Sequence, residues 1–81
     1  MRLVDIGHGN YVSDEGVVSV VSIDSAPIKR LVKQASEDGR LIDASYGRKT
    51  RAVIIMKSDH VVLSSLETEE LGRRFGGLSD D

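Results

Sequence analysis

Cysteine is absent from all 81 residues, so disulfides and thiolate metal ligands drop out of every reading of the chain. Tryptophan is missing too, and the aromatic complement is Tyr11, Tyr46 and Phe75 alone. That scarcity counts against a stacking platform for single-stranded nucleic acid, which needs several exposed rings. No stretch is long and apolar enough to cross a bilayer, and Met1-Arg2-Leu3-Val4-Asp5 is too short and too charged for a secretory leader. The expectation is a soluble cytoplasmic protein with no membrane partner. Paired metal ligands are lacking as well. His8 and His60 stand apart, with no His-x-x-x-His or Glu-x-x-His spacing. Asp59-His60 reads as a turn, since neighbours on an extended chain point apart. Gly7-His8-Gly9-Asn10 lacks the strand-to-helix setting and third glycine of a dinucleotide loop, and no serine sits in a nucleophile elbow. These absences argue against an enzyme, a metal, a cofactor or a small-molecule substrate.

What is present begins with charge placement. The net charge is −2, but the average hides an asymmetry. Residues 29 to 57 carry eight basic groups against three acidic ones, +5, and the remainder carries three against ten, −7. One cationic face on an acidic body is the pattern of a phosphate binder. Within it, Tyr46–Met56 sets Arg48, Lys49 and Arg51 on a glycine-marked turn that runs straight into an apolar strand, which places the cations at the lip of a rigid element. Plain solubilising charge explains three loop cations on spacing alone. Lys29, Arg30 and Lys33 read equally well as the wet side of a helix or as further phosphate contacts, and Thr50 as a hydrogen-bond donor beside them.

Periodicity supplies the elements. Arg2–Ile6 and Tyr11–Ser13 read as short strands, and Val17–Ile23 as a strand apolar on both faces. A helix over 26–38 follows, capped by Asp24 or Ser25, with Pro27 in its first turn, Ile28, Leu31, Val32 and Ala35 in one stripe, and Gly39 beyond its end. Arg40–Ser45, Arg51–Met56 and Val61–Ser64 read as strands paired consecutively and antiparallel, because each connection is too short for a parallel crossover. A short helix over 67–75 carries acids at its start and Arg73-Arg74 at its end, as the helix dipole favours. The fold class is therefore α+β: a small, mainly antiparallel sheet with one central amphipathic helix and a short C-terminal one, in a single domain over 1–75 with a flexible tail over 76–81. Strands apolar on both faces exceed what two helices can cover. A second copy of the chain is the simplest cover, so a homo-oligomer joined through sheet surface or a strand edge is expected, with a sheet curled on itself as the alternative.

Four runs in fixed order carry a family resemblance: Ser25-Ala26-Pro27-Ile28-Lys29-Arg30; Leu41-Ile42-Asp43-Ala44; Tyr46-Gly47-Arg48-Lys49-Thr50-Arg51-Ala52-Val53-Ile54-Ile55-Met56; and Ser58-Asp59-His60-Val61-Val62-Leu63-Ser64. With Ile6-Gly7-His8-Gly9-Asn10-Tyr11-Val12-Ser13 ahead of them, they resemble the RemA family of bacterial extracellular matrix regulatory proteins over residues 4 to 66. The segment from Glu67 onward lies outside the likeness. The resemblance implies a small transcriptional regulator of the biofilm type that assembles into a ring and engages double-stranded DNA through basic residues on its rim. It assigns the two residues after the turn glycine, here Arg48 and Lys49, to DNA binding; Arg51, beside them in the same run, is a third candidate read from the turn itself. Lysine in the second position keeps the charge and gives up the bidentate fork. A further DNA-binding arginine of the family falls at Gly16, a departure that removes one cation from the implied rim, beside Asp14 and Glu15, which repel phosphate unless they point away. Two other functions stand beside it: an RNA-binding regulator that uses the same cations, and a non-catalytic assembly module that contacts protein partners through the acidic surface.

Overall fold

The computed structural model describes residues 1–76. Of the tail expected over 76–81, residues 77–81 lie outside the described residues. Strands β1 (Leu3–Asp5) and β2 (Tyr11–Ser13) form an antiparallel hairpin. A single 3₁₀ turn over Asp14–Gly16 leads into β3 (Val17–Ser22), followed by helix α1 (Ala26–Glu37), β4 (Leu41–Asp43), β5 (Ala52–Met56), β6 (Val61–Ser64) and helix α2 (Thr68–Arg74). No helix among the described residues is long and apolar enough to cross a membrane.

Each helix begins and ends for a local reason. At the start of α1 the Ser25 hydroxyl accepts from the Ile28 N–H at 3.4 Å, and Pro27 occupies the first turn, where an N–H has no partner to lose. At its end Arg40 N–H donates to Ala35 O at 2.8 Å and Gly39 N–H to Ser36 O at 3.3 Å, the pair of bonds that closes a Schellman motif. In α2, Arg74 donates to Glu70 at 2.8 Å and reaches the Asp5 carbonyl at 3.1 Å, tying the helix to β1.

The other four strands form one sheet in the order β3-β5-β6-β4. Two expectations change here. First, β4 does not pair with β5. It lies parallel to β6, with Leu41, Ile42 and Asp43 opposite Val61, Val62 and Leu63. Residues 44–51 carry the chain past one strand position before β5 begins, and the tight turn at residues 57–60 then folds β6 back into the gap. Burial decides the order. All four residues of β6 are buried, so it takes an interior place, and β4, with Ile42 and Asp43 exposed, takes an edge.

Second, the sheet needs no other molecule to cover its second face. On one face α1 packs Ile28, Leu31, Val32 and Ala35 over Val53, Val61 and Leu63. On the other, the β1–β2 hairpin and α2 bring Ile6, Val12, Leu71 and Phe75 onto Ala52, Ile54 and Val62. The expectation counted only the two helices as cover and left the hairpin out. It is part of the cover, and the coverage argument for a homo-oligomer falls with that. What stays open is the pair of sheet edges, β3 with Val18 exposed and β4 with Ile42 exposed.

Candidate functional site

The cations of the Tyr46–Met56 run gather at one end of the sheet, where β4 and β6 finish and β5 begins. Two matching turns shape this end. In the first, Gly7 to Asn10 joins β1 to β2, with Asn10 N–H donating to Gly7 O at 3.1 Å and His8 and Gly9 both at positive φ, 57° and 78°. In the second, Ser45 to Arg48 leaves β4, with Arg48 N–H donating to Ser45 O at 3.0 Å and Tyr46 and Gly47 at φ 57° and 75°. Positive φ at both central residues is what a type I′ turn requires. Glycine accepts that geometry freely, whereas a tyrosine in the left-handed region costs about 1 kcal/mol or more.

The approach to the second turn is held by Asp43. Its carboxylate accepts from both the hydroxyl and the N–H of Ser45, and those two bonds hold the Asp43 carboxyl below the usual aspartate range. Across the gap, Asn10 donates to Gly7 O at 3.0 Å and approaches Ala44 O at 3.5 Å, linking one turn to the other.

His8 and Tyr46, the first central residues of the two turns, stack on each other with ring centroids 5.4 Å apart and planes inclined by 16°. The His8 Nε2 lies 3.0 Å from Ser65 Oγ, just past β6. Beside His8 opens a cleft of about 550 Å³ lined by His8, Arg48, Lys49, Arg51 and Ser65. Among the described residues neither Arg48 nor Lys49 has an ion-pair partner. Arg51 has one: its Nη1 sits 2.9 Å from the Glu67 carboxylate ahead of α2. The cleft can therefore hold an anion with two free cations, one shared cation and the polar groups of His8 and Ser65.

The remaining candidates lie elsewhere. Thr50 borders a neighbouring notch with Ser22, Asp24 and Thr68. Lys29, Arg30 and Lys33 are exposed on α1, and none of them lines the cleft. Gly16 sits at the opposite end of β5, where its carbonyl accepts from Lys57 N–H at 2.7 Å. Asp14 and Glu15 accompany it there, paired with Arg2 and the terminal ammonium, at the far end of β5 from the cleft. His60 is in the β5–β6 turn at that same far end, bonded to Ser58 Oγ at 2.7 Å. His8 and Ser65 are the cleft residues that sequence reasoning missed; for His8 a signal existed. The available signal was a repeated pattern, His8-Gly9 and Tyr46-Gly47, each marking a turn that needs positive φ twice.

Comparison with known proteins agrees with this geometry in extent. A family model described as extracellular matrix regulatory protein A-like matches residues 3–75, which span both turns and the cleft. A protein of Geobacillus kaustophilus named as regulatory is 54% identical over 80 residues, covering 99% of this chain and 92% of its own. A similarly named protein of Symbiobacterium thermophilum is 57% identical over 74 residues, covering 91% of this chain and 78% of its own. One from Gloeothece citriformis is 55% identical over 75 residues, covering 93% and 85%.

Proposed function

Because the chain belongs to the RemA-like family of regulatory proteins, we propose that it is a transcriptional regulator of the extracellular-matrix type that binds duplex DNA. Arg48 and Lys49 grip the phosphates. The observation that carries this reading is the pairing state of the cleft cations: Arg48 and Lys49 are exposed at the lip of a rigid turn without a carboxylate partner among the described residues. The turn fixes where the two cations leave the backbone, and with no carboxylate partner they meet a phosphate without first giving up an ion pair.

A single cleft supplies two or three phosphate contacts, and one such contact set is weak at physiological salt. Repetition strengthens it. The open edges of the sheet differ from each other, β3 bearing Val18 and β4 bearing Ile42. A contact between unlike edges is head-to-tail and closes into a ring when the rotation permits. Copies in a ring present their clefts at constant spacing, and simultaneous engagement multiplies weak contacts into avidity. DNA that follows such a rim is selected by its deformability more than by its base edges.

A mobility-shift titration on curved and straight duplexes, paired with native mass measurement, tests this. The expected result is an oligomer whose affinity falls steeply with salt, by about 0.9 in log K per log salt for each phosphate contact, and an Arg48→Ala/Lys49→Ala protein that has lost most of that affinity. A monomer at micromolar concentration, or a double variant that binds like wild type, refutes it. Single-stranded or duplex RNA that outcompetes duplex DNA transfers the function to RNA.

A further inference from the structure

Tyr46 does not behave like a core residue or an ordinary turn residue. It is 78% exposed, so it adds little to folding by burial. It also occupies the left-handed region at φ 57°, where asparagine or glycine would sit at lower cost. The structure nevertheless fixes its ring. His8 stacks on it at 5.4 Å, and His8 in turn lies 3.0 Å from Ser65 Oγ. The turn below is braced by the two bonds from Ser45 to Asp43. A large aromatic ring held rigid and exposed, two residues from Arg48 at the rim of a cationic cleft, presents flat apolar area at low entropic cost.

We infer that Tyr46 is an uncharged contact to the nucleic acid: the ring, backed by His8, lies against the deoxyribose of the strand whose phosphates Arg48 and Lys49 hold. This rests on the DNA-binding reading above. Sugar and phosphate alternate along a strand, so a site that takes neighbouring phosphates on two cations meets the intervening sugar with whatever lies beside them, and here that is the Tyr46 ring. The contact adds affinity that salt does not screen, because no counterion is displaced by an uncharged ring.

The two kinds of contact separate in a salt series. Fluorescence anisotropy with a labelled duplex is measured at several salt concentrations for wild type, Tyr46→Asn, Tyr46→Phe and Arg48→Ala. Asparagine accepts the left-handed backbone, so Tyr46→Asn removes the ring while easing the turn, and a Tyr46 that neither touches DNA nor supports the cations would leave binding intact or improved. The expected result is that Tyr46→Asn weakens binding about fivefold or more with the slope of log K against log salt unchanged, and that Tyr46→Phe binds like wild type. Arg48→Ala weakens binding and flattens the slope. Wild-type affinity in Tyr46→Asn overturns the inference while leaving the DNA reading in place if Arg48→Ala still loses binding. A slope flattened in Tyr46→Asn as in Arg48→Ala also overturns it, since Tyr46 would then act only by supporting the cations. A wild-type chain that binds no duplex removes both.

Discussion

On the proposed DNA-binding reading, Glu67→Gln tightens the hold of this protein on duplex DNA. The Glu67 carboxylate lies 2.9 Å from Arg51 Nη1 at the edge of the cleft, with the two side chains 66% and 48% exposed. An ion pair this open contributes about 0–1 kcal/mol to stability, and glutamine keeps the backbone that opens α2, so the variant should fold with at most a small loss. The effect on binding is larger. A phosphate resting on the far side of Arg51 would lie about 6 Å from the carboxylate, and two like charges at that distance in water repel by about 0.7 kcal/mol. Removing the repulsion is worth about threefold in affinity for each engaged subunit. Arg51 also becomes a full phosphate contact, which steepens the salt dependence of log K by about 0.9 per engaged subunit. The assay is the anisotropy salt series, run as a double-mutant cycle with Arg51→Ala. Arg51→Ala should cost little in the wild-type background and should erase the gain in the Glu67→Gln background. Equal affinity and equal slope for Glu67→Gln and wild type would show that Arg51 does not face the ligand, and the reasoning would fail.

Gly16→Arg restores a cation at the far end of β5; a Cβ there meets Met56 Cε at 3.0 Å, the flexible end of a side chain that can move aside, so chemical denaturation should show a change within about 1 kcal/mol. If neighbouring copies bring that end beside the next cleft, the substitution raises duplex affinity and steepens the salt slope, and an unchanged slope in the anisotropy series excludes that arrangement. Ser64→Ala removes a buried hydroxyl that donates to Ile6 O at 2.8 Å and accepts from Leu66 N–H at 3.1 Å; urea unfolding should show a loss of about 1–3 kcal/mol. Asp43, held below the usual aspartate range by the Ser45 hydroxyl and N–H, contributes stability that is present above the unfolded-state pKa and is lost as pH falls through the lowered folded value. Ser45→Ala should therefore flatten the acid limb of a stability-against-pH curve measured by thermal melts, and an unaltered acid limb would refute that assignment.

The elements of this fold were legible because each is written locally. The stripe Ile28, Leu31, Val32, Ala35 and the signals at Ser25, Pro27 and Gly39 mark α1 to within a residue or two of Ala26–Glu37. The order of the strands was not legible. Leu41–Asp43 and Val61–Ser64 are both short runs with apolar residues, and which of them sits inside depends on how completely each is buried once α1 and α2 have packed. The site divides in the same way. Arg48, Lys49 and Arg51 are neighbours in the chain and share a turn, so their proximity follows from sequence alone. His8 reaches them only because the β1–β2 hairpin folds over the sheet, a tertiary event that no spacing between His8 and Tyr46 encodes. The pairing of Arg51 with Glu67 is likewise set by where α2 begins, and it separates Arg51 from two otherwise similar cations.

The hairpin links the core to the cleft. Ile6 is almost wholly buried against Ala52, Ile54 and Leu71, and its carbonyl receives the Ser64 hydroxyl. Two residues further along the same turn, His8 backs the exposed ring of Tyr46. A segment that helps cover the second face of the sheet thus also completes the cleft, which places Ser64 between the core and the proposed DNA site. Loss of its hydroxyl loosens the hairpin without touching a charge. If the hairpin positions the Tyr46 ring through His8, Ser64→Ala weakens DNA binding with the salt slope unchanged, as removal of the ring itself does. A Ser64→Ala protein that is destabilised yet binds with full affinity would show that the His8–Tyr46 stack forms independently of the core beneath it.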